Sequence, residues 1–238
     1  MKTLGIIGGM GPMATAYLLE LIIQMTDAKT DQEHLSVIVL NNPQVPDRTA
    51  YILDNSKPSP LPVLEDMAHT LESVGAGVLC APCVTSHYFY EELAGNVQVP
   101  FVHMVKETAQ ELRIAGKHKA GILATTGTVR TGLFQQALEN KGLSWAVPSE
   151  TGQKLVMSLI YDDIKAGKPA DMGKFRRVSD ELFDAGCDSI ILGCTELSLV
   201  KKDTPLGRGY LDALEVLSKR CVETCGGPLK AQYNRLIS

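Results

Sequence analysis

The sequence has no block of basic residues. Its 23 lysines and arginines stand against 27 aspartates and glutamates, a formal net charge of −4, so nucleic acid is not an expected partner. No apolar run approaches the ~18 residues that a membrane span needs, and no membrane partner is expected. Met1-Lys2-Thr3-Leu4-Gly5 enters a strand pattern at once, without the apolar segment or small-residue cleavage site of an export signal. The expectation is a cytoplasmic protein whose six cysteines are free thiols rather than a disulfide framework. Metal-ligand spacing is thin. Cys80-x-x-Cys83 and Cys221-x-x-x-Cys225 could be combined into a four-thiolate site, but Cys80, Cys187, Cys221 and Cys225 read more simply as small core hydrophobes, and no metal is expected.

What the sequence does contain is a duplication. Gly75-Ala-Gly-Val-Leu-Cys-Ala-Pro-Cys83-Val-Thr recurs as Gly186-Cys-Asp-Ser-Ile-Ile-Leu-Gly-Cys194-Thr-Glu. In each copy a glycine opens a short apolar run and a cysteine closes it. Such runs read as buried parallel strands, and the carboxyl ends of parallel strands are where open α/β sheets place their ligands. Lys119-Ala-Gly121-Ile-Leu echoes Lys2 through Ile7, so the whole βα pattern restarts near residue 103. The pattern predicts an α/β fold of two pseudo-symmetric, doubly wound domains with parallel sheets and a ligand cleft between them. Residues 1–102 with a returning segment 207–238 form the expected first unit, and residues 103–206 the second.

Several residues have both a chemical and a purely local reading. Gly9-x-Gly11-x-x-Ala14 follows a strand, but the acidic residue of a dinucleotide site is missing, because the second strand ends in Asn41-Asn42. Arg48 falls in a loop after that strand, as either a surface charge or a cleft cation. Lys165 ends a helical pattern, where a cation also opposes the helix dipole. Thr125, Thr126, Gly127 and Thr128 offer hydroxyls and amides to a carboxylate, or cap the next helix. His87, four residues after Cys83, is a base for the thiol or a locally satisfied residue. Glu196 either orients an amine or begins a helix.

Five motifs in order bring these residues together: Gly8-Gly9-Met10-Gly11-Pro12, Asn41 to Thr49, Pro82-Cys83-x-Thr85-x-His87, Ala124 to Thr128, and Gly193-Cys194-Thr195-Glu196. In these the chain resembles the aspartate/glutamate racemase superfamily, most closely its cofactor-independent aspartate racemases. The resemblance implies two α/β halves, a homodimer, no cofactor and a small dicarboxylic amino acid as substrate. It implies Cys83 and Cys194 as the acid/base pair, Arg48 as a carboxylate ligand and Lys165 as a second essential cation. It places Met10, Val84, Thr85, Thr125, Thr126, Gly127, Thr128, Thr195 and Glu196 around the substrate. Val84 stands where the family commonly has asparagine, which enlarges the apolar part of the pocket and admits glutamate as a second substrate. The segment Gly207 to Ala213 also departs from the family pattern.

Two bases on opposite faces of one carbon can exchange its hydrogen without moving. One sulfur must then be a thiolate, and helix N-terminal amides are the expected source of that stabilisation. The implied function is interconversion of L- and D-aspartate. Two alternatives keep the fold: a related dicarboxylate or hydantoin isomerase or decarboxylase, and an amino-acid-binding protein without catalysis.

Overall fold

The computed structural model describes residues 1–237. In the first half, β1 (Leu4–Gly8) lies between β2 (Val37–Asn41) and β3 (Val78–Cys80), all parallel. In the second half, β4 (Lys119–Leu123) lies between β5 (Ser144–Ala146) and β6 (Ser189–Leu192), with β7 (Tyr210–Asp212) parallel to β6 at the edge. The two sheets share one strand order. Val99-Pro100-Phe101-Val102 reads in sequence as a short strand, and it is reduced to one parallel bridge between Leu79 and Phe101, because Pro100 has no N–H to donate to a ladder. Residues 210–212, grouped by sequence with the returning tail, instead form the outer strand of the second sheet.

The helices that cover these sheets are α1 (Pro12–Met25), α2 (Arg48–Leu53), α3 (Leu61–Ser73), α4 (Tyr90–Gly95) and α5 (Met104–Ile114). They continue as α6 (Thr126–Thr131), α7 (Leu133–Glu139), α8 (Glu150–Ser158), α9 (Met172–Asp184), α10 (Thr195–Asp203) and α11 (Ala213–Thr224). A π-helical turn, Leu159–Ile164, extends α8. Among the described residues no helix is long and apolar enough to cross a membrane.

Strand alternation divides the core. Leu4 and Ile6 of β1 join Ile122 of β4, Ile191 of β6 and Leu211 of β7 in one shared apolar cluster, whereas Ile7 faces a second cluster under α3. Ile190 and Leu192 face a third, under α9. The shared cluster is completed by α1, α5 and α11, so the halves have one of the three clusters in common. Gly5 and Gly121 occupy matching positions where a side chain has no room. A Cβ at Gly5 would lie 2.6 Å from Leu79, and one at Gly121 2.8 Å from Leu182.

The chain end packs on the first half. Lys2 N–H donates to the Cys225 carbonyl at 2.8 Å, and Asp27 N–H to that of Pro228 at 2.8 Å. A buried ion pair ties this segment down. Lys219 of α11 donates to both oxygens of Glu111 of α5 at 3.1 Å and to the Asn234 carbonyl at 2.9 Å. Asp212, wholly buried, caps α11 by accepting from Leu214 N–H at 2.8 Å and accepts the Ser198 hydroxyl of α10 at 2.6 Å.

Two stability predictions arise here. Lys219→Met leaves the buried Glu111 with only the more distant Arg220 guanidinium, 3.9 Å away, to offset its charge, and urea unfolding should show a loss of about 3 kcal/mol, largely recovered by adding Glu111→Leu. Burial, reinforced by Glu215, pushes the Asp212 carboxyl up to about 7. The folded protein therefore holds this proton more tightly than the unfolded chain, and the stability it contributes in acid is lost as pH rises towards 7. Asp212→Asn should decline less over that interval than the parent protein in a pH series of denaturation midpoints.

Candidate active site

Cys83 lies three residues beyond the end of β3, after Ala81-Pro82, and starts the 3-10 turn Val84–Phe89. Cys194 lies two residues beyond β6 and is the N-cap of α10. The two strands are equivalent in the two sheets, so both sulfurs arrive at carboxyl ends facing the same cleft. They line one pocket of about 320 Å³.

The pocket brings together most of the residues expected there. Met10, Arg48, Val84, Thr85, Thr125, Lys165, Thr195 and Glu196 all line it with the cysteines. Three expected residues do not. Thr126 opens onto a separate surface groove with Met157 and Tyr161. Gly127 packs against α2, where an added Cβ would meet the Thr49 hydroxyl at 2.9 Å. Thr128 lies behind the wall, its hydroxyl 2.9 Å from that of Thr85 and 3.1 Å from that of Thr125. The local reading of this turn also holds, since Thr125 caps α6.

Asp47, Thr49 and Tyr161 line the pocket and were missed. Asp47 is the N-cap of α2, its carboxylate accepting from Ala50 N–H at 2.7 Å, so Arg48 opens a helix rather than sitting in a loop. An aspartate before an Arg-Thr-Ala helix start was a readable capping signal. Tyr161 precedes Lys165 by four positions, one helical turn, and so shares its face. Lys165 closes the π turn through its N–H to the Ile160 carbonyl at 2.9 Å, and its ammonium lies 5.8 Å from the Tyr161 ring centre.

The dinucleotide reading of Gly9 and Gly11 has a simpler replacement. Gly9 takes a φ of +98°, and a Cβ there would lie 2.3 Å from the Asn42 backbone. Its N–H donates to the Thr15 hydroxyl at 3.0 Å. The glycines let β1 turn into α1 against the end of β2.

Buried hydroxyls knit the two halves at the pocket. Thr49 and Thr85 come from the first half, Thr125 and Thr128 from the second. Thr49 donates to Thr125 at 3.3 Å, and Thr85 and Thr125 are 3.2 Å apart. His87 is not a base for the thiol. Its Nδ1 is 3.0 Å from the Cys83 carbonyl and its Nε2 accepts from Met104 N–H at 3.1 Å, so Nδ1 carries the proton. Burial lowers its pKa, which favours this neutral form. The histidine fastens the Cys83 loop to the start of α5.

The charges are arranged asymmetrically around the two sulfurs. Cys194 Sγ donates to Glu196 Oε2 at 2.9 Å, and Glu196 Oε1 accepts from Lys165 Nζ. Burial and the Glu196 carboxylate push the Cys194 thiol well above its usual value, outweighing Lys165 and the Glu196 backbone N–H. The helix amide expected to favour thiolate is present here and is outweighed by burial and the carboxylate. Burial opposes the Lys165 ammonium, but Glu196 and both cysteines hold its pKa up. Arg48 lines the pocket with Cys83, which with Asp47 favours its charged form against burial, and Nη1 donates to the Val45 and Pro46 carbonyls at 3.1 and 3.0 Å. Its buried Nε has no partner among the described residues. Burial and Asp47 raise the Tyr161 phenol to about 12, so it stays protonated. No cluster of three or more metal-ligating side chains occurs among the described residues.

Two α/β halves that each deliver a thiol to one shared pocket define the architectural class. Residues 7–217 match the Asp/Glu/Hydantoin racemase family, and the chain belongs to that family. Over 230 residues it is 27% identical to a protein of Bacillus subtilis (strain 168) named broad specificity amino-acid racemase RacX, covering 93% of this chain and 97% of that one. The aspartate racemase of Picrophilus torridus has a TM-score of 0.83 at 28% identity, covering 98% of each chain. A glutamate racemase from Francisella tularensis shares the fold, with a TM-score of 0.68 at 13% identity, over 93% of this chain and 80% of that one.

Thr128→Val separates holding the halves together from touching a ligand. The variant should lose about 1–2 kcal/mol in thermal or urea unfolding, because it leaves buried hydroxyl partners unmatched. Its ligand preference should not change.

Proposed function

We propose that the protein is an amino-acid racemase that interconverts L- and D-aspartate through Cys83 and Cys194, without a cofactor. The observation that carries this reading is the single pocket bordered by one sulfur from each half. One sulfur removes the α-hydrogen from one face, and the other returns a proton to the opposite face. Neither has to travel, so the reaction is reversible with the two roles exchanged.

Arg48 supports a carboxylate-bearing substrate. Its Nε is a buried donor with no partner among the described residues, and a planar guanidinium presents parallel N–H groups to a carboxylate. Lys165 is already engaged by Glu196, which makes Arg48 the better anchor for the side-chain carboxylate. The α-carboxylate gathers negative charge as the α-hydrogen leaves, and Lys165 and the Thr85 and Thr195 walls are placed to offset it. Glutamate is the second substrate of this reading, since Val84 offers a buried apolar wall instead of an amide. The homodimer and the cytoplasmic site of action that the resemblance implies belong to the same reading.

Cys83→Ala and Cys194→Ala should each lower racemisation by roughly 10²–10⁴-fold, the range expected for loss of a general acid or base. Chiral chromatography of L- and D-aspartate reads this directly, with circular dichroism confirming the fold. Wild-type turnover in both variants would exclude the two-thiol reading.

A further inference from the structure

Glu196 lines the pocket with both carboxylate oxygens engaged by side chains, one of them the Cys194 thiol. Glu196 is 5% exposed. Its Oε2 accepts from the Cys194 thiol at 2.9 Å, and its Oε1 accepts from Lys165 Nζ. The glycine turn of the other half presses on this arrangement. A Cβ at Gly11 would lie 3.1 Å from Glu196 Oε1 and 3.8 Å from Lys165 Nζ. A carboxylate only accepts, so the proton shared in the contact with Cys194 is the sulfur's own. Removing it would leave two anions in direct contact in a buried site.

We infer that Glu196 is a positioning residue that holds Cys194 in its thiol form, leaving Cys83, beside Arg48, as the proton acceptor of the resting site. This rests on the reading that both sulfurs work on one substrate. It reassigns Glu196, whose oxygens are committed to Cys194 and Lys165 and are not free to orient a substrate amine.

The groups that face Cys194 are few. Glu196 comes from its own helix, Lys165 and Tyr161 from the π turn and its end, and Cys83, Arg48 and Asp47 from the first half. Lys165 is the cation nearest the carboxylate and offsets its charge, and the Tyr161 phenol stays neutral. Glu196 is therefore the group that separates the two sulfurs. In the forward step the α-hydrogen passes to Cys83 as a proton, and its bonding pair stays on carbon. The Cys194 S–H bond then breaks, and its proton forms the new C–H bond. Cys83 is left as a thiol and Cys194 as a thiolate against Glu196, and release of a proton from Cys83 to solvent with uptake of one by Cys194 restores the resting arrangement. The form in which Cys194 is the acceptor is accordingly the minor one.

The test needs no turnover. The substrate-free protein is treated with iodoacetamide across a pH series, and mass spectrometry follows alkylation at each cysteine. In the wild type, Cys83 should label at lower pH than Cys194. In Glu196→Gln, the labelling midpoint of Cys194 should fall by about one pH unit or more, a tenfold gain in thiolate at a given pH. Glu196→Asp keeps the charge and should hold the midpoint above that of the glutamine variant. The midpoint is read rather than the plateau, so a simple opening of the pocket does not imitate the effect. An unmoved Cys194 midpoint in Glu196→Gln would overturn the assignment. So would wild-type Cys194 labelling at or below the pH of Cys83, or an aspartate variant that behaves like the glutamine one. A protein that labels as expected but racemises no amino acid would refute the proposed activity alone.

Discussion

One constraint governs the site: two sulfurs carried by different sheets must border the same small space. Each sulfur is fixed relative to its own strand, because Cys83 and Cys194 follow β3 and β6 by only a few residues. Their mutual position depends on how the halves are joined. The apolar cluster shared by both sheets supplies most of that connection, with α1, α5 and α11 packed into it. The hydroxyls of Thr49, Thr85, Thr125 and Thr128 then set the local register at the pocket wall, where directional bonds are needed. Apolar burial is strong but non-directional, and hydrogen bonds between buried groups are individually modest but geometrically strict. The site depends on both.

The same division explains the electrostatics. The sheets and their cover place the pocket out of water, which raises the cost of any unpaired charge and strengthens every contact within it. Arg48 and Lys165 stand on one side of the ledger, Asp47 and Glu196 on the other, and the protein pairs them unequally. Lys165 is bound to Glu196, which in turn meets Cys194. Arg48 is held by two backbone carbonyls and lines the pocket with Cys83, with one buried donor unmatched among the described residues. The two sulfurs are related by the fold's internal repeat, but their surroundings are not, and the difference lies in side chains rather than in backbone.

Much of the fold was legible because it repeats. The Gly-to-Cys segments at 75–83 and 186–194 identified the two strands that end at the site, and the restart at Lys119 identified the second sheet. Local rules failed where a neighbour in space decides. The strand at 99–102 had the right residues, but Pro100 stops its ladder. The outer strand Tyr210–Asp212 is three residues long and follows Gly207 and Gly209, so its apolar signal was too short to register. The site shows the same limit. Cys83 and Arg48 belong to motifs that can be matched one by one. The bond from Lys165 to Glu196 joins residues 31 apart in sequence, and no spacing rule announces it. Thr126 and Thr128 sit within one turn of Thr125, but the rotation of α6 points only Thr125 at the pocket.

The central claim is that two different sulfurs serve the two faces of one carbon. Its most direct test is the fate of hydrogen at the α-carbon of aspartate in D₂O at early times. The account predicts that the product enantiomer acquires one deuterium while the recovered starting enantiomer stays protiated, because the sulfur that removes the hydrogen is not the one that supplies its replacement. Deuterium appearing in the starting enantiomer as fast as product forms, or product that retains the original hydrogen, would mean that one base acts on both faces, and would contradict the account.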